Sequence, residues 1–143
     1  MRYAYPVALD PEPDGSAINV SFPDVPEALT WGDEAAEALA LAEDCLVTAL
    51  SFYVKAGKAL PKPSPASGRP LIAVPPLVAV KLALYGAMRE EEVSEAELAR
   101  RIGVDEKVVA ALLDLQRRTH LGQLDRALAA LGVELEVTVR RAA

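Results

Sequence analysis

The chain has 143 residues, 52% of them hydrophobic, and a formal net charge of −6, enough to bury one good core or two small ones. One cysteine and one histidine exclude the common zinc sites, so neither metal nor other cofactor is expected. The apolar runs, broken by Pro75-Pro76 and Lys81, exclude a membrane helix, and no signal-peptide hydrophobic region follows Met1-Arg2-Tyr3-Ala4-Tyr5-Pro6, which makes the cytoplasm the expected location.

In chain order, Arg2 to Leu9 alternates Tyr3, Tyr5 and Val7 against Arg2, Ala4 and Ala8 and predicts a strand. Turn chemistry over Pro11-Glu12-Pro13-Asp14-Gly15 and a second alternation from Ala17 to Phe22 make it an antiparallel hairpin. Pro23 and Pro26 stop the second strand, and Leu29-Thr30-Trp31 adds a brief third before Gly32. Asp33 is the expected N-cap of a helix to Ala56, with Leu39, Leu46, Leu50 and Tyr53 inward and Gly57 at its end. Within it Cys45 lies at helical spacing from Leu41, Leu46 and Ala49, the pattern of a buried small hydrophobe rather than a nucleophile.

Residues 61–70 include four prolines and read as a semi-rigid linker between a unit of residues 1–60 and one of residues 71–143. Leu71 to Val74 is a short apolar run. Pro75-Pro76 opens a helix through Ala87, with Leu77, Val80, Lys81, Leu84 and Met88 at helical spacing.

From Ser94 to Arg118 two short helices and a tight turn are expected. Ser94 caps the first, and Glu97 reaches back to the cap amide in a capping box. Leu98, Ala99 and Ile102 share a face, Gly103 supplies a left-handed residue, and Asp105 starts the second helix, with Val108, Val109, Leu112 and Leu113 inward. Small Ala99 permits the steep crossing of a helix-turn-helix, which presents its second helix to DNA; the alternative is an ordinary helical bundle. A last helix, capped by Thr119, runs from His120 to Leu131, and Gly132 ends it. Val133, Leu135, Val137 and Val139 then alternate with Glu134, Glu136, Thr138 and Arg140, the cleanest strand pattern in the chain.

Residues 1–60 carry three basic and ten acidic side chains, whereas the remainder carries twelve and eleven. An acidic first unit fits a basic partner, and it equally serves solubility.

The order of parts resembles a known family. An Arg-Tyr strand, Phe22-Pro23-Asp24-Val25-Pro26, and Thr30-Trp31-Gly32-Asp33 opening an Ala/Glu-rich helix are similar to the HicB antitoxins of bacterial type II toxin-antitoxin systems. Leu71 to Ala87 and Ser94 to Val104 resemble the DNA-binding tail of one HicB subgroup. The resemblance implies an N-terminal partial ribonuclease H-like domain that masks HicA, a small basic RNA-cleaving toxin. It also implies a C-terminal domain that represses the shared operon. The chain departs at Glu27, where the family usually has glycine, and at Asp105-Glu106-Lys107, where acids repel phosphates although Glu106 can accept from a cytosine amino group.

On this basis Phe22, Asp24, Glu27, Trp31, Glu34 and Glu37 are expected to border the toxin-facing surface, with Trp31 either there or in the core. Lys107 and Ala110 are expected near base edges, and Ser94, Arg100, Arg101, Glu106, Arg117 and Arg118 elsewhere on the DNA-facing surface. The four arginines compete for phosphate roles. Val133, Leu135, Val137 and Val139 are expected to pair with a second copy in a homodimer or higher homo-oligomer. An enzyme is not expected: Asp14 sits in a turn, Asp33 at a cap and Asp24 between prolines, while His120 starts a helix away from any nucleophile. The expected fold class is α+β. A stand-alone repressor, with a first unit that senses or assembles, is the other reading.

Overall fold

In the computed structural model, which describes residues 2–142, the expected first strand is two strands that change partner at Val7. β1 (Ala4–Pro6) pairs antiparallel with β5 (Leu71–Ala73), Ala4 facing Ala73. β2 (Ala8–Pro11) pairs with β3 (Ile18–Ser21), and β3 with β4 (Leu29–Gly32), in an antiparallel three-stranded sheet. The connecting turn between β2 and β3 carries Gly15 at φ +73° and is held by the Asp14 carboxylate accepting from the Ser16 amide at 2.9 Å.

α1 (Ala35–Lys55) crosses the sheet and buries Ala38, Ala42, Leu46, Ala49 and Leu50 against Val20, Phe22, Val25 and Ala28. Leu46 and Leu50 are fully buried, each adding about 1.5–3 kcal/mol of transfer free energy. The expected Asp33 cap is not formed. Glu34 is the N-cap residue, without a side-chain bond, and Asp33 stays in solvent. Just before it, helix and sheet come close at Gly32: a Cβ there would lie 2.7 Å from the Ala38 amide nitrogen and 2.9 Å from its Cα. Only glycine lets the first turn of α1 rest on β4. At the far end Gly57, at φ +68°, closes the helix as expected.

The proline-rich segment is strapped to the first core rather than standing free. Tyr5 donates its hydroxyl to the Pro61 carbonyl at 2.8 Å. The Asp24 carboxylate accepts from the Ser64 amide at 2.8 Å and from its hydroxyl at 2.6 Å, and the Val7 amide bonds Pro70. β5 then joins β1, so the segment expected to open the second unit completes the first. α2 (Pro76–Glu90) carries Val78, Lys81, Leu82, Leu84, Tyr85, Ala87 and Met88 into buried positions. Val78 and Leu82 belong to the first core, while Leu84, Tyr85, Ala87 and Met88 belong to the second. One helix is therefore shared by both cores.

The second core is closed by α3 (Glu95–Ile102), α4 (Glu106–Leu113) and α5 (Leu121–Ala129). α5 begins one residue later than expected; His120 rather than Thr119 is its N-cap.

The expected strand from Val133 to Arg140 has no ladder partner, and none of its residues is assigned to a strand. Val137 and Val139 are 69% and 91% exposed, and only Leu135 packs on the second core. Alternation is a local signal, whereas a strand needs an edge to pair with. The short apolar run from Leu71 to Ala73 pairs with β1.

Candidate functional site

Two surfaces gather the residues singled out by the sequence. On the first unit, Phe22 is 1% exposed and belongs to the core, so it cannot border a partner. The chain folds back on itself there, the Val25 amide bonding Phe22 and the Ala28 amide bonding Val25, which drives Phe22, Val25 and Ala28 inward. Asp24 is half-buried and its two oxygens are occupied by Ser64. It fastens the linker and offers little to a partner.

Glu27 remains exposed and accepts a hydrogen bond from the Tyr53 hydroxyl at 2.7 Å. This bond holds its carboxyl below the ordinary value and raises the Tyr53 phenol. Trp31 is 59% exposed on β4, which decides between surface and core. Glu34 and Glu37, at the start of α1, are also exposed.

Beside them lie apolar side chains that the sequence pattern did not single out. Leu29, Leu41 and Phe52 are 67%, 38% and 60% exposed and line a shallow groove between β4 and α1. Leu41, Cys45, Thr48 and Phe52 recur at helical spacing, a second stripe next to the one that enters the core, and this was the available signal. Cys45 is half-buried and donates its thiol to the Leu29 carbonyl at 3.4 Å. Burial pushes the thiol up.

On the second unit, the Ser94 hydroxyl accepts from the Glu97 amide at 3.1 Å. The reciprocal half of the expected capping box is absent, because the Glu97 carboxylate turns to Arg100, at 2.6 and 2.9 Å, and Arg101, at 3.0 Å. Those two guanidinium groups lower its carboxyl to about 2. Gly103 takes φ +70°, and the Val104 amide bonds Ala99, itself 4% exposed between the helices. The Asp105 carboxylate caps α4 by accepting from the Lys107 amide at 2.9 Å. Glu106, Lys107 and Ala110 are all exposed along α4.

α4 stops at Leu113, so Arg117 and Arg118 lie in the connection to α5 rather than on the second helix. Lys81 accounts for the stop. It is fully buried, and its ammonium donates to the carbonyls of Ala111 at 3.2 Å, Asp114 at 2.6 Å and Arg117 at 2.7 Å. Three protons meet three acceptors at a helix C-terminus, where a cation is favoured. The connection folds over that charge and brings Arg117 and Arg118 to an open groove with Lys107, His120 and Gln123. The structure thus joins three of the expected cations, Lys107, Arg117 and Arg118. It leaves Arg100 and Arg101 on α3, engaged with Glu97. Among the described residues no group of three or more His, Cys, Asp and Glu side chains is placed to hold a metal ion, and no helix is long and apolar enough to cross a membrane.

Residues 4–83 match a family described as a HicB-like antitoxin of bacterial toxin-antitoxin systems. The chain belongs to the HicB-like antitoxin family. The match ends inside α2, after every buried residue of the first core except Leu115, and it includes β5 and its proline-rich strap. The similarity of relatives extends further. Antitoxin HicB of Escherichia coli (strain K12) is 41% identical over 136 residues, covering 94% of this chain and 98% of that protein. Antitoxin HicB 1 of Photorhabdus laumondii is 38% identical over 135 residues, covering 94% and 86%. Antitoxin HicB of Pseudomonas fluorescens (strain Pf0-1) is 33% identical over 137 residues, covering 94% of each.

Proposed function

We propose that this HicB-family antitoxin binds and masks a HicA-like RNA-cleaving toxin through its first unit and represses its own operon through its second, working in the cytoplasm without enzymatic activity of its own. The observation that carries this reading is similarity to HicB antitoxins over 94% of the chain, across both cores. Three antiparallel strands with α1 across them support a partial ribonuclease H-like layer for the first unit. For the second, α3, the Gly103 turn and α4 support a helix-turn-helix, with Lys107, Arg117 and Arg118 grouped where phosphates would pass and Ala110 along the exposed helix. Glu106 beside Lys107 restricts that surface to partners that tolerate an acid.

The unpaired Val133–Arg140 segment supports a homodimer in which two copies form an antiparallel ladder and set two such helices about one DNA turn apart. Co-expression with the product of the adjacent reading frame, followed by pull-down, tests the antitoxin half; a short basic toxin should be retained and its activity silenced. Operator binding by the full chain and by a chain truncated after Gly132 tests the other half. The truncated chain should lose the dimer in sedimentation and lose operator affinity while still capturing toxin. A truncated chain that keeps the native oligomer would place the dimer interface elsewhere.

A further inference from the structure

We propose that the groove between β4 and α1, walled by Leu29, Leu41 and Phe52, is where the toxin seats an apolar side chain carried on a basic surface. This rests on the antitoxin reading above.

All three walls are exposed large hydrophobics, supplied by two elements, and they converge on one depression. Apolar side chains gathered in one depression can serve as the desolvated centre of an interface, with polar groups as its rim. Glu27 and Asp44 also line the groove, and no lysine or arginine does. The hydrogen bond from the Tyr53 hydroxyl holds the Glu27 carboxylate at this rim and favours its charged form. The first unit carries ten acids and three bases, so the local field and the field of the whole unit agree in sign. An apolar centre with an acidic rim is complementary to an aliphatic or aromatic side chain flanked by Lys or Arg. The centre supplies lifetime and the rim supplies encounter rate. A second copy of this chain fits less well, because its own first unit is acidic.

The test uses the full chain and the purified product of the adjacent gene, with affinity, on-rate and sedimentation measured for wild type, Leu41→Lys, Phe52→Ser and Asp44→Lys. Each position is exposed, so melting temperature and circular dichroism should match wild type. Leu41→Lys and Phe52→Ser should weaken toxin binding at least five-fold, chiefly through faster dissociation. Asp44→Lys should slow association and flatten its salt dependence. A change smaller than five-fold in both apolar variants overturns the groove assignment while leaving the antitoxin reading in place. Loss of self-association with toxin affinity intact also overturns it and makes the groove a contact between copies. Should Phe52→Ser fail to fold, Leu41→Lys and Asp44→Lys decide the question. Failure of the wild-type chain to bind the toxin would refute the antitoxin reading itself.

Discussion

Replacing Lys81 by Met keeps an unbranched side chain of nearly the same reach, one atom shorter, and removes the ammonium. The methionine fills the same buried channel, but the carbonyls of Ala111, Asp114 and Arg117 lose their shared donor. An orphaned buried acceptor costs about 1–3 kcal/mol. Asp114 and Arg117 are exposed residues, so water partly repairs two of the three acceptors. Burial also disfavours the charged amine and lowers its pKa, so its removal relieves some desolvation cost. The net loss is therefore about 3 kcal/mol, toward the upper part of the range for single substitutions. For 143 residues, at about 2.1 cal/mol/K each, the unfolding entropy is roughly 0.3 kcal/mol/K. The melting temperature should fall by about 10 °C on that scale. Thermal unfolding followed by circular dichroism measures it. A fall of less than about 3 °C would mean that the three carbonyls are satisfied without the lysine, and the account of why α4 ends at Leu113 would be wrong.

Gly32→Ala places a methyl against the Ala38 backbone, which has no flexible end to move aside. A loss of about 2–3 kcal/mol is expected from overpacking, and an unchanged melting temperature would refute the close approach of α1 to β4. The carboxyl of Glu97 sits at about 2 instead of its ordinary 4.5, so its pairing is complete above the ordinary value and is lost as pH falls toward about 2. Amide protection factors from Leu98 to Ile102, the exchange rates referred to the intrinsic rate at each pH, should fall over that window in wild type and show no such step in Glu97→Gln. The same substitution releases Arg100 and Arg101. If either reaches phosphate, the slope of operator affinity against salt should steepen by roughly one unit for each phosphate newly neutralised.

Local chemistry was legible from the sequence alone. Turn residues, the Ser94 and Asp105 caps, the left-handed Gly103 and the apolar period of α1 are each set by a few neighbouring residues, and they appear where the pattern puts them. The division of charge and the family resemblance were legible in the same way. Tertiary structure decided everything that depends on what lies opposite a residue. Phe22 entered the core because its loop folds over on Val25 and Ala28, and Asp24 became a latch because Ser64 arrives beside it from forty residues away. Lys81, polar in an apolar row, found three carbonyls at and just beyond the end of another helix. The strongest strand pattern in the chain stayed unpaired for the same reason. Alternation makes a strand possible, but backbone hydrogen bonds need a partner edge, and β5, the apolar run that opens the C-terminal half, pairs with β1 instead.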